Sequence, residues 1–107
     1  MRIACVGGMD RSQADMERLA QQRGHSVEFH TGDVRGRGAD ALRGVVERAE
    51  LVLVVTDLNS HGGVQMAKKL CHRIGRSSMV VKRCGSARFA HLLDALATRD
   101  AQLAVAS

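Results

Sequence analysis

Five consecutive apolar residues, Leu51-Val52-Leu53-Val54-Val55, constrain the fold of this chain more than any other feature. Such a run has no polar face to offer to water. It reads as a strand buried on both faces, as at the centre of a parallel sheet with helices above and below. Parallel strands need long crossover connections, and the flanking sequence has room for them.

Upstream, Arg2-Ile3-Ala4-Cys5-Val6 is an apolar strand ended by Gly7-Gly8. Asp10 or Ser12 can cap a helix running to about Arg23, with Met16, Leu19 and Ala20 on one face and Gly24 as its stop. Val27-Glu28-Phe29-His30 is the second strand, and residues 31–38, with three glycines, read as a mobile surface loop. A helix over residues 39–49 directs Leu42, Val45, Val46 and Ala49 inward. Beyond the central strand, a loop over residues 56–61 leads to a helix over 63–74. Its inward residues are Ala67, Leu70 and Ile74, with Val64 and Cys71 at the margin. Met79-Val80-Val81-Lys82 is the fourth strand, followed by a helix over 87–97 with Leu92, Leu93 and Leu96 inward. Residues 100–107 stay open between a fifth strand, a helical extension and a flexible tail. The alternation predicts one three-layer α/β domain over residues 1–107, Rossmann-like or flavodoxin-like. Its four or five parallel strands are expected in the order 2-1-3-4.

Composition removes several classes of function. A chain of 107 residues supports a single core, and an apolar run of five is far short of a membrane span. Gly7 and Gly8 interrupt the place where an export signal would be apolar, so the cytoplasm is the expected compartment. Cys5, Cys71 and Cys84 are odd in number and widely spaced, which suits reduced thiols better than a disulfide framework. The net charge of +5 raises a nucleic-acid reading. With Phe29 and Phe89 as the only aromatic residues there is no stacking platform, and that reading is not favoured.

In an open parallel sheet, ligands bind outside the carboxyl ends of the strands, near the point where strand order reverses. Four loops meet there: Gly7-Gly8-Met9-Asp10, His30-Thr31-Gly32-Asp33, Thr56-Asp57-Leu58-Asn59-Ser60-His61 and Arg83-Cys84-Gly85-Ser86. Asn59 or Ser60 reads as a helix cap. His30 and His61 serve neither turn nor cap chemistry, which makes them candidate ligands beside the plain reading of exposed or hydrogen-bonded imidazoles. The first loop lacks the third glycine of a dinucleotide fingerprint. It does read as cysteine, five residues, arginine and serine from Cys5 to Arg11 and Ser12, a spacing that resembles the phosphate loops of low-molecular-weight tyrosine phosphatases and of some sugar-phosphotransferase subunits. An enzyme with Cys5 as nucleophile and Arg11 on phosphate is therefore an alternative. The phosphatases' Asp-Pro acid is missing, since the chain has no proline, and Cys5 also reads as a buried strand residue. No pair of His or Cys has zinc-finger spacing. A metal site would combine His30, His61, Asp57 and Cys84 from separate loops, or ligands from two subunits. With no Cys-x-x-Cys-His motif, haem would be bound without covalent attachment.

Several short motifs occur together in a fixed order. They are Val6-Gly7-Gly8, His30-Thr31-Gly32, Asp57 to His61, then Lys68 and Cys71, and finally Arg83 to Phe89. In this order the chain resembles the bacterial family catalogued as domain of unknown function 2325, over nearly its whole length. The resemblance implies a small Rossmann-like bacterial domain without an established enzymatic activity. It also implies His30, Asp57, Ser60, His61, Lys68 and Cys71 as the functional set, in preference to Cys5. The leading expectation is a non-catalytic ligand-binding or sensor domain that takes haem or a transition metal, or else a small-molecule or gas ligand. His61 is the first expected ligand, with His30 and Cys71 next. Asp57 and Ser60 are expected to orient His61, and Lys68 and Arg83 to hold a carboxylate or propionate. A homo-oligomer is expected, because four strands leave open sheet edges.

Overall fold

All five residues of β3 (Leu51–Val55) are buried, and the strand lies inside a four-stranded sheet. The computed structural model describes residues 1–8, 12–57 and 59–106, with side chains to residue 98. On one side β3 pairs in parallel with β1 (Arg2–Val6), Ile3 opposite Leu51 and Val6 opposite Val54. On the other it pairs in parallel with β4 (Ser77–Val81), Leu51 opposite Ser77 and Val55 opposite Val81. β2 (Ser26–His30) completes the sheet against β1, giving the order β2-β1-β3-β4. The expected topology is the observed one.

Four helices form the outer layers: α1 (Gln13–Gln22), α2 (Gly38–Arg48), α3 (His61–Ile74) and α4 (Ser86–Ala106). Successive strand residues point to opposite faces, and the core divides accordingly. Ala4, Val6, Val52 and Val54 pack with Leu42 and Val46 of α2 and Ala67 and Leu70 of α3. Ile3, Cys5, Leu51, Leu53 and Val55 pack with Met16 and Ala20 of α1 and Phe89 and Leu93 of α4. Both faces of β3 are therefore dry, which is why its sequence carries no polar alternation.

The element boundaries differ from the sequence expectation where solvent or a close backbone contact hides the pattern. β4 starts at Ser77, two residues before the expected start. It is an edge strand whose first four residues are exposed, so burial imposes no apolar signature on it. α3 starts at His61, placing Gly62 and Gly63 in its first turn. Cys71 is fully within the core beside α2 and not at its margin. Gly38, expected in the loop, begins α2. α4 continues through residues 100–106, so the helical extension is the form observed there. Phe89, which the inward set omitted, is completely buried, whereas Leu92 and Leu96 are only partly covered. Met9, Asp10, Arg11, Leu58 and Ser107 lie outside the described residues, and Asp10 as a cap with them. Ser12 takes the N-cap position of α1 without a side-chain hydrogen bond to the helix.

Because Leu53 has no exposed surface and partners on every side, Leu53→Ala is expected to destabilise the fold by about 3 kcal/mol. Urea unfolding checks this: the midpoint falls while the slope is retained. Val80→Ala on exposed β4 stays within about 0.5 kcal/mol of the parent.

Candidate functional site

Three chain segments turn sharply at the carboxyl ends of β1, β2 and β3, and a single side chain joins them. The Asn59 Nδ2 donates to the Val55 carbonyl at 2.8 Å and to the Val6 carbonyl at 3.3 Å. These two carbonyls end β3 and β1, the strands between which the chain reverses its direction of spread. Gly7 and Gly32 hold φ of +93° and +91°, and a Cβ on either would fall on the Asn59 carboxamide. A Cβ on Gly63 would meet both the Gly32 carbonyl and Asn59 Oδ1. Three glycines thus form the slot that the carboxamide fills. Asn59 Oδ1 is buried there with no hydrogen-bond partner.

Ser60 makes the second connection. Its hydroxyl accepts from the Gly63 N–H at 2.8 Å, which caps α3, and donates to the Gly32 carbonyl at 2.7 Å. The capping reading of Ser60 is the observed one, and the cap is also a bridge to the loop after β2. That loop is further held by His30. Its Nδ1 accepts from the Gly32 N–H at 2.9 Å, so the proton resides on Nε2, which donates to the Gly38 carbonyl at 3.0 Å. Within the same loop, Arg35 donates to Asp33 through its backbone N–H and its guanidinium. Those bonds hold the Asp33 carboxyl well below its usual range, at about 2. A stretch expected as a mobile loop is a hydrogen-bonded turn.

The residues proposed to act on a ligand separate into engaged and free groups. His30 uses both ring nitrogens internally, which removes it as a metal or haem ligand in this conformation. Cys71 is buried against the α2 side of the sheet, where it is 2% exposed, and burial pushes its thiol pKa up. Asp57 is paired with Arg83, Nε to Oδ2 at 3.0 Å, in place of orienting His61. Ser60 is likewise committed to backbone groups. His61 is the first residue of α3 and is exposed, as is Lys68 two turns on along the same helix. Asn59 carries the geometry and was read only as a possible cap. Its signal was the pattern of glycines at positions 7, 32 and 63, meaningful only once the strands are laid side by side.

Burial of Cys5 weighs against the Cys5 enzyme reading. Cys5 lies within β1, opposite Phe29 on one side and Leu53 on the other. Desolvation, with a smaller contribution from nearby Cys84, pushes its thiol up to about 12. A phosphate-loop nucleophile needs the reverse shift and an accessible sulfur. Arg11, its proposed partner, is outside the described residues.

A crevice of about 200 Å³ lies at the same rim, lined by Gly8, Ser12, Asp57, Arg83 and Cys84 among others. Larger hollows of about 390 and 350 Å³ lie at the opposite, amino end of the sheet, around Arg2 and Arg48. The rim crevice is the better candidate, because it opens between the carboxyl ends of β1 and β3, where strand order reverses. Its volume suits a small group and is below the usual size of a cofactor pocket, roughly 300–1,000 Å³. Among the described residues, no three His, Cys, Asp or Glu side chains are grouped to hold a metal ion. No described helix is long and apolar enough to cross a membrane.

Gly32→Ala is expected to destabilise the protein by at least about 2 kcal/mol, from positive φ and the collision with Asn59. In the Asn59→Ala background the collision is gone. Thermal or urea unfolding should then show a coupling of about 1 kcal/mol or more between the two sites. For Cys5, the folded chain keeps a proton that the unfolded chain releases above pH 9. This thiol's stabilising contribution is therefore complete below pH 9 and declines by about 1.4 kcal/mol per pH unit as pH rises toward 12. Denaturation curves across that range, compared with Cys5→Ala, test the sign.

Residues 2–96 match the family described as "Uncharacterized protein conserved in bacteria (DUF2325)". No curated protein and no solved structure matches the chain. The match spans most of the sequence, and the chain belongs to this family.

Proposed function

We propose that this DUF2325 member is a non-catalytic, cytoplasmic ligand-binding domain, with His61 as the residue that takes haem iron or another transition metal. One observation carries the reading. Of the three expected ligands, His61 alone presents an exposed ring with neither nitrogen engaged by a described residue, while His30 and Cys71 are committed to the fold. Its backbone position is well defined, because the Ser60 cap and the close packing of Gly63 fix the start of α3. A rigid attachment of this kind favours ligation by lowering the ordering cost.

The same geometry favours a homo-oligomer. His61 is exposed and does not line the rim crevice of about 200 Å³, so one chain encloses little of a haem, and a second subunit would cover the other face of the macrocycle and supply a further ligand. Lys68, exposed two turns beyond His61, is available for a propionate. Arg83 can serve only by exchanging Asp57, an exposed pair worth no more than about 1 kcal/mol. A signalling role follows if ligation alters the assembly.

Titration of the purified chain with haemin, followed by absorption spectroscopy and size measurement, tests the proposal. The expected result is a saturable Soret band at no more than one haem per two chains, lost in His61→Ala with the fold intact by circular dichroism. Cys71→Ser is expected to keep the ligation spectrum while lowering stability. Absence of saturable binding of haemin and of transition metals, or an unchanged spectrum in His61→Ala, overturns the reading.

A further inference from the structure

The outer edge of β4 is unusual for an edge strand. Ser77-Ser78-Met79-Val80-Val81 contains no charge and no proline, the usual devices that protect an open edge. Met79 and Val80 are 38% and 50% exposed, the two large apolar side chains of the described residues that are turned to solvent. No described strand pairs with the outer side of β4. Its backbone donors and acceptors along about 17 Å are therefore open to an added strand.

Charge says which strand. Between Asp57 and Asp94 the sequence contains seven lysines and arginines and no acidic residue. The other nine basic residues share the remainder of the chain with all eleven acids. This basic segment comprises α3, which packs on β3 and β4, then β4 itself and the start of α4 in the opposite layer. Lys82, exposed, immediately follows the strand, whereas Arg76, which precedes it, turns its guanidinium to the Glu47 carbonyl of α2. We propose that the β4 edge is a docking site for an acidic, extended segment of a partner protein, which adds to the sheet as a fifth strand beside β4. Backbone hydrogen bonds supply adhesion, Met79 on one face and Val80 on the other add apolar contact, and Lys82 with the cations of α3 selects acidic side chains.

Two other occupants fit less well. A second copy pairing β4 with β4 about a two-fold axis would bring together two segments that each carry seven cations and no acid between Asp57 and Asp94, a like-charge contact. A nucleic acid would find its phosphates facing an uncharged apolar strand, with no aromatic side chain at this edge for its bases. The inference concerns a different face from the His61 rim and stands without it.

The test uses the full chain and a fluorescein-labelled peptide of seven residues alternating valine with glutamate. Fluorescence anisotropy is expected to show saturable binding, with amide chemical shifts concentrated at residues 77–81. The same peptide methylated on alternate backbone nitrogens keeps its charge and cannot form the ladder, so its binding is expected to weaken about tenfold or more. Met79→Glu, a change at an exposed site, should also weaken binding about tenfold without altering the unfolding midpoint. Equal affinity for the methylated peptide, or shifts away from β4, overturns the proposal. So does tighter binding of a single-stranded oligonucleotide of equal charge, loss of the open edge to self-association through β4, or no peptide binding.

Discussion

The carboxamide of Asn59 lies where β1 and β3 end, and the rim of this molecule is organised around it. Its amide group bonds the last carbonyl of each strand, and its volume fits a slot left by Gly7, Gly32 and Gly63. No larger side chain fits at those glycines, and two of them have a backbone conformation that other residues adopt only with strain. Ser60 then joins the same loop to α3, and His30 joins it to α2. Asn59, Ser60 and His30 together thereby set the relative position of three loops and two helices.

This arrangement changes the meaning of the family-like motifs. Residues that resemble a ligand set on paper are largely architectural. His30 carries a fixed tautomer between two backbone groups, Ser60 is a cap with a second bond, and Cys71 fills the core. What remains outward is narrow: the His61 ring, Lys68 on the same helix, and the Asp57–Arg83 pair beside a small crevice. The unpartnered Oδ1 of Asn59 is enclosed by the glycine slot and so belongs to the structural part of the rim.

The layered fold was legible in the sequence because burial writes directly into it. β3 is dry on both faces and is apolar throughout, and the helices that cover it repeat apolar residues at helical spacing. β4 was harder to bound, since an exposed edge places no such demand on Ser77 and Ser78. The start of α3 was misplaced for a different reason. Two glycines argue against helix by propensity, yet Gly63 is needed because the Gly32 carbonyl occupies the space of a Cβ. The candidate site was legible as a location, since topology alone brings the loops together. The roles of its residues were not, because they depend on hydrogen bonds between segments far apart in the chain.

The uneven distribution of charge also acts at a distance. With no acid to offset the seven cations between Asp57 and Asp94, and all eleven acids sharing the rest of the chain with nine cations, the molecule is an electric dipole as well as a basic body. In the field of an anionic surface it experiences a torque before any contact is made, and it turns the β4 side forward. That alignment extends over about 8 Å at physiological ionic strength. Encounters are thus oriented in advance, with the His61 rim and the amino end of the sheet to either side of the leading edge.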